Sequence, residues 1–352
     1  MPLLKIRKRD EPWKMGALII FLGALTFSLT VSALLLTLQG KSAIGGMLIL
    51  WDGSFGHLWA LEDALLKAIP IFLCSLGVAV AFRMQIWNIG AEGQFALGAI
   101  GATWAALSFP DMPSWMLMPL MFISAMVLGG IWALIPAILK LKLKVNEIIS
   151  TLMFNYIAIF LLQYMVFGVW KDPMSFGFPM TPEFSESAVI STIGDTRLHW
   201  GLVFSAVVGC VLWGFMRYTR LGYELKVGGE GKRVATYAKL PYGFLVMLVM
   251  VMSGAFAGWA GCVETSAVVN RLQPSIMVGY GYTAIVVAWL ARLEPLYIAF
   301  ASFLIAALRV GVENLQLEFQ IPAAFGTIME GIILLSVLAG QFFLTYKVER
   351  RK

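Results

Sequence analysis

Residues Trp87 to Gln94 read WNIGAEGQ. An asparagine, a glutamate and a glutamine stand here among glycines, inside a chain that is otherwise largely hydrocarbon. The flanks, Ala68 to Phe82 and Phe95 to Leu107, are apolar enough to enter a bilayer. The motif itself is not, because a polar group facing lipid finds no partner, so such a segment belongs inside protein or along a water-filled path. An apolar chain interrupted in this way points to membrane transport.

Composition agrees. Of 352 residues, 60% are hydrophobic and 13% charged, and the mean hydropathy is +0.83, far from the balance of a water-soluble domain. The uncharged run Met15 to Leu38 is 24 residues long. At about 1.5 Å per residue it exceeds a hydrocarbon core of about 30 Å. A secretory signal would also set basic residues (Lys5, Arg7, Lys8, Arg9 and Lys14) before an apolar run, but its apolar region is shorter and ends at a small-residue cleavage site. An uncleaved first span is expected.

Other classes fail on particular residues. Cys74, Cys210 and Cys262 lie singly in separate apolar segments, with no CxxC pair and no histidine near enough to complete a metal site. His57 and His199 are the only histidines, and neither has a serine or cysteine nucleophile at a suggestive spacing. The net charge of +6 collects at the ends of apolar segments instead of along a soluble face, which argues against nucleic acid.

Ten apolar segments are candidates for crossing: Met15 to Leu38, Ala64 to Phe82, Phe95 to Leu107, Trp115 to Leu139, Ile148 to Trp170, Trp200 to Met216, Tyr242 to Val263, Pro274 to Ala291, Leu296 to Leu308 and Ile321 to Leu344. The expected fold is an all-α integral membrane protein of about ten transmembrane helices. An even count puts both termini on one side. Most of the 26 lysines and arginines then share that side, leaving Lys41, Lys67, Lys171, Arg197, Arg271 and Arg309 on or near the other. By the positive-inside rule both termini are cytoplasmic. The domain plan is a cytoplasmic segment 1–14, a single transmembrane domain 15–346 and a cytoplasmic tail 347–352.

Two loops are long enough for a role of their own. The external loop 171–198 carries Pro173, Pro179 and Pro182 with mixed charge, as a partner surface or a solvated connector. In the cytoplasmic loop 217–241, Gly228, Gly229 and Gly231 precede a stretch, Lys232 to Lys239, able to form a short helix exposing Val234, Tyr237 and Ala238. So short a helix is unstable alone in water, which suggests docking on a cytoplasmic protein, with the lipid surface as the alternative.

For the pathway, Asn88, Glu92 and Gln94 supply donors and acceptors, and Tyr280 or Tyr282 offers a ring for stacking. The competing reading is that they bond to neighbouring helices or cap a broken turn. Gly279 and Gly281 interrupt VGYGYTA much as Gly90 and Gly93 interrupt NIGAEGQ, and paired interruptions mark transport sites. Asn155, Glu264 and Glu330 sit in apolar runs and should face a pore or another helix. Glu147 suits a helix start and balances Lys144. Gly254 and Gly258 form a GxxxG step for close helix packing, and Arg309 and Glu313 stand at pairing distance along a helix. The nearest approach to a phosphate-cradling loop is GGEGKR at Gly228 to Arg233, which lacks the first glycine and the closing serine or threonine. If ATP drives transport, another polypeptide hydrolyses it.

Four stretches in order, FRMQIWNIGAEGQFALGAIGA from Phe82, KVNEIISTLMFNYIA from Lys144, SGAFAGWAGCVE from Ser253 and GYGYTAIVVAWLAR from Gly279, resemble the permease subunits of bacterial ABC importers in the branched-chain amino acid, ribose and nucleoside group, nearest its nucleoside branch. The resemblance implies a type II ABC importer-like fold in the bacterial cytoplasmic (inner) membrane. It implies a second permease subunit, identical or homologous, cytoplasmic ABC ATPases that use the ATP, and an external solute-binding protein. Gly229 to Leu240 is similar to the family's coupling segment, GxNxxAAxYAG, with Ala235, Tyr237 and Ala238 matching and Gly231, Val234 and Lys239 departing from it.

The expected function is thus a permease for nucleosides or related solutes, with no cofactor bound by this chain and no nucleic-acid partner. Asn88, Glu92, Gln94, Asn155, Glu264, Tyr280 and Tyr282 border the pathway. Gly222, Glu224, Gly229, Arg233, Val234, Ala235, Tyr237, Ala238 and Pro241 form the ATPase-coupling surface. The alternatives are an ion-coupled secondary transporter, a structural membrane subunit, or an ABC permease for sugars, riboflavin or branched-chain amino acids.

Overall fold

The computed structural model describes residues 4–8 and 16–350. In order the elements are β1 (Leu4–Lys8), α1 (Gly16–Leu38), α2 (Ala43–Trp51), α3 (Leu58–Arg83), α4 (Ala91–Ser108), α5 (Ser114–Leu143), α6 (Glu147–Tyr164), α7 (Gly201–Tyr218), α8 (Arg220–Gly229), α9 (Lys232–Tyr237), α10 (Tyr242–Val263), α11 (Tyr280–Leu290), α12 (Pro295–Phe319), α13 (Ala323–Thr345) and β2 (Tyr346–Arg350). Single π-type turns extend α6 to Val169 and α10 to Val269.

The expectation of about ten crossing helices is corrected. Among the described residues six are long and apolar enough to cross a membrane: Leu58–Arg83, Ser114–Leu143, Glu147–Val169, Gly201–Tyr218, Tyr242–Val269 and Pro295–Phe319. The side assignment that counted ten crossings loses that basis. An apolar run read from sequence does not say how much of it becomes one continuous helix. α4 opens on Glu92 and Gln94, which leave its 18 residues too polar for a span, and α11 is cut to 11 by Gly279, whose φ of 88° starts the helix afresh.

The chain divides into two units, Met1–Ala64 with Leu304–Lys352, and Leu65–Phe303. In the first, β1 pairs antiparallel with β2, so the two ends of the chain run side by side. Its core gathers Leu36, Leu50, Val312, Leu315, Phe325 and Met329. Arg309 lies 3.8 Å from Glu313, as its spacing suggests, and 3.7 Å from Glu330 on α13.

The second unit is built around α4, which is buried on nearly every face. Glycine makes that possible. A Cβ at Gly98 would collide with the backbone of Gly258, one at Gly129 with the carbonyl of Gly254, and one at Gly261 with the carbonyl of Phe95. The three backbones of α4, α5 and α10 therefore touch directly, as small-residue steps permit in membranes. At α5's end, Lys144 takes a left-handed turn (φ 56°) and Asn146 caps α6 by accepting from the Ile148 amide at 2.8 Å. Glu147 pairs with Lys140 at 2.5 Å and not with Lys144, because the turn brings the preceding helical face round to it.

α10 separates two ends of this unit. At the end holding Tyr242, α8 and α9 pack together with the α3 terminus. At the end holding Val269, the loop 171–198 folds across the chain: Thr181 and Leu272 exchange bonds of 3.0 Å, Ser266 Oγ donates to the Ala188 carbonyl at 2.6 Å, and Arg271 pairs with Glu183. His199 is buried there, its Nδ1 accepting from the Gly201 amide at 3.1 Å, and burial lowers its pKa to about 4.

Candidate functional site

After Arg83 the chain leaves helical geometry. Gln85 turns through φ 55°, and residues 86–89 run without regular structure before Gly90 opens α4. The amides of this link need partners inside protein. Asn88 provides several: its Oδ1 accepts from the Gly90 amide at 2.9 Å, and its Nδ2 donates to Gln94 Oε1 at 2.9 Å and to Ser253 Oγ of α10 at 2.8 Å. Gln94 returns a bond of 3.0 Å to Asn88 Oδ1. Asn155 of α6 performs the same service, accepting from the Gly93 amide at 2.9 Å and donating to the Ile89 carbonyl at 2.9 Å and to Tyr282 Oη at 3.2 Å. Thr151 Oγ1 takes the Ile89 amide at 3.2 Å.

Glu92 explains why a carboxylate belongs here. Its Oε1 accepts from the Gly279 amide at 3.0 Å and its Oε2 from the Gly281 amide at 2.7 Å. Those amides begin α11, while Glu92 itself stands in the first turn of α4. Two helix N-termini thus converge on one carboxylate, and each carries a partial positive charge from its unpaired amides. The approach depends on glycine, since a Cβ at Gly281 would overlap the Glu92 backbone.

The structure gathers Asn88, Glu92, Gln94, Asn155 and Tyr282 around the start of α4, with Asn88 bonded to Gln94, Asn155 to Tyr282 and Glu92 to the amides that open α11. The first four are at most 2% exposed, so their polar atoms bind this chain, whereas Tyr282 is 37% exposed. Tyr280 and Glu264 form an adjacent pair, 3.5 Å apart and buried, with the Tyr280 ring edge-on to Phe95. Sequence reasoning singled out neither Ser253 nor Thr151. The available signal was a small hydroxyl residue within an apolar helix, which is common enough to carry no weight alone.

The predicted coupling residues fall on α8, α9 and the turns after them. Gly222 lies against the Met216 carbonyl, Glu224 pairs with Arg220 at 2.7 Å, and Gly229 is buried on the Arg83 carbonyl. Ala235 is buried and anchors α9, which leaves Tyr237 92% and Val234 42% exposed, with Arg233 and Ala238 also on the surface. Pro241 precedes α10. Among the described residues no group of three or more histidine, cysteine or acidic side chains is placed to hold a metal.

Residues 60–338 match the family profile described as the permease component of branched-chain amino acid transport systems. The guanosine ABC transporter permease protein NupP of Bacillus subtilis is 31% identical over 92% of this chain and 94% of its own length. The glucose ABC transporter permease protein TsgB13 of Haloferax volcanii is 32% identical over 82% of this chain and 79% of its own. The nucleoside ABC transporter permease protein NupB of Lactococcus lactis is 28% identical over 88% of each.

Proposed function

Since this chain belongs to the family of permease components of branched-chain amino acid transport systems, we propose that it forms the translocation pathway of an ABC importer for nucleosides. It is a multi-pass membrane subunit, and the ATP is hydrolysed by a separate polypeptide; family membership removes the ion-coupled alternative. One observation carries the choice of solute. The two helix N-termini at the centre of the site are already neutralised by Glu92. Half-helix ends left open favour an anionic group such as an amino acid carboxylate, and here that place is taken. An uncharged, hydroxylated, ring-bearing solute suits what remains, with the part-exposed Tyr282 as a stacking surface. Similarity to guanosine and nucleoside permeases supports the same reading, with sugars as the second candidate through the glucose permease relative.

In this reading Asn88, Gln94 and Asn155 hold the broken segment open beside the pathway, and Glu264 and Tyr280 border it. Residues 217–241 are the cytoplasmic surface for an ABC ATPase, and 171–198 faces an external solute-binding protein. Residues 15–346 form the transmembrane body beside a second permease subunit. Reconstitution with those partners and uptake of labelled guanosine, challenged with adenosine, ribose, glucose, riboflavin and leucine, tests the proposal. Nucleosides should compete best. Stronger competition by glucose or leucine would refute the assignment of solute, and uptake persisting with a hydrolysis-dead ATPase would refute the importer.

A further inference from the structure

The link between α3 and α4 is clasped at one end to the start of α11 and at the other to the turn that follows it. At one end Glu92 holds the Gly279 and Gly281 amides. At the other, Arg83 Nη2 donates to the Leu293 carbonyl at 2.9 Å and pairs with Glu294 at 2.9 Å. Between them Trp87 stacks on Trp289 with ring centroids 5.4 Å apart, and Phe82 packs on both. Asn88 and Ile89 are tied to α4, α6 and α10 through Gln94, Thr151, Asn155 and Ser253, so within the link it is residues 84–87 that follow α3 and α11.

The predicted coupling segment touches this clasp directly. Gly229 lies so close to the Arg83 carbonyl that a Cβ would overlap the oxygen, and a Cβ at Gly228 would stand 2.6 Å from Met84 Sδ. Backbone seated on backbone leaves no flexible side chain to absorb a displacement, and close-packed contacts of this kind pass movement on. The far end is fixed differently: Glu92 sits on α4, which is locked into α5 and α10 by its glycine contacts. A push on Arg83 therefore meets a pivot at Glu92.

We propose that residues 84–87 and α11 move as one body about a joint at Asn88 and Glu92, and that Arg83 is the positioning residue through which the coupling segment displaces it. The inference rests on the reading of residues 217–241 as the ATPase-docking surface. It is tested in the reconstituted complex. In a Trp87→Cys/Trp289→Cys variant, with the exposed Cys210 replaced by serine, a short bifunctional thiol reagent joins the link to α11. Guanosine uptake should be the same before and after cross-linking, because a lock inside one body costs nothing; loss of uptake on cross-linking would overturn the single-body inference. Arg83→Gln should lower the stimulation of ATP hydrolysis by loaded binding protein about tenfold per assembled complex, with partial recovery in Arg83→Lys. A purely structural role would reduce the yield of complex and leave that stimulation intact, which would overturn the relay. If the unsubstituted chain holds no ATPase, the docking reading falls and the relay with it; if it holds the ATPase and Arg83→Gln leaves the stimulation intact, the relay alone falls.

Discussion

Replacing Glu92 with glutamine removes one charge and keeps the shape of the side chain. The carboxylate accepts from two amides, at 3.0 and 2.7 Å, and is 2% exposed. An amide has one acceptor oxygen, so in Glu92→Gln one of the Gly279 and Gly281 donors meets an NH2 group instead. Hydrogen bonds to charged groups contribute about 1.5–3 kcal/mol each, and neutral ones about 1 kcal/mol. The loss of one bond and the weakening of the other amount to about 3–4 kcal/mol, and the helix-dipole interaction adds up to about 1 kcal/mol. Relief of burying a charge offsets part of this, leaving about 3 kcal/mol for opening the first turn of α11. That corresponds to about a hundredfold rise in local opening. Hydrogen exchange of the full chain in nanodiscs, followed on a peptide covering Val278 to Ala284, measures it. Protection equal to that of the parent, or a rise confined to α4, would refute the account of Glu92 as the carboxylate that closes α11.

Close packing makes a contrasting pair. Gly98→Leu should cost about 3 kcal/mol or more by driving α4 off Gly258, whereas Gly214→Leu, with nothing within 4 Å, should leave the heat resistance of the purified chain unchanged when followed by size exclusion after heating. At the loop end, His199 is neutral when folded, its pKa lowered by burial from 6.5 to about 4. A lowered folded pKa stabilises the fold above 6.5, and that contribution, about 3 kcal/mol, is lost as the pH falls toward 4. Proteolysis of the 171–198 loop should accelerate over that window, and His199→Gln should flatten the dependence. On α9, Tyr237 is 92% exposed, and Tyr237→Ala should weaken retention of the ATPase about thirtyfold, as expected for an aromatic anchor contributing about 2 kcal/mol. Pull-down at graded ATPase concentration reads this directly.

Much of the local structure was legible in the residues. Polar side chains among glycines mark Trp87 to Gln94 as a break, because a continuous lipid-facing helix tolerates neither. Gly254 and Gly258 announce close helix contact, and in the structure they meet α4 and α5 backbone. Lys232 to Lys239 foretells a short helix with Tyr237 outward, and α9 forms there with Tyr237 exposed. The number of crossing helices was not legible. Hydropathy sums over a window, and it cannot distinguish a full span from a buried half-helix such as α11.

What the chain by itself determined is therefore its solvent and its interruptions: a bilayer, and within it a few places where the backbone must find partners in protein. Which partners was decided only by the tertiary structure. Glu92 meets amides 187 and 189 positions away, and Asn88 meets a serine 165 positions away. No period or motif encodes such distances. They arise because glycine contacts bring α4, α5 and α10 within backbone reach, so that two helix starts, each too electropositive to sit alone in hydrocarbon, come together on the carboxylate at Glu92.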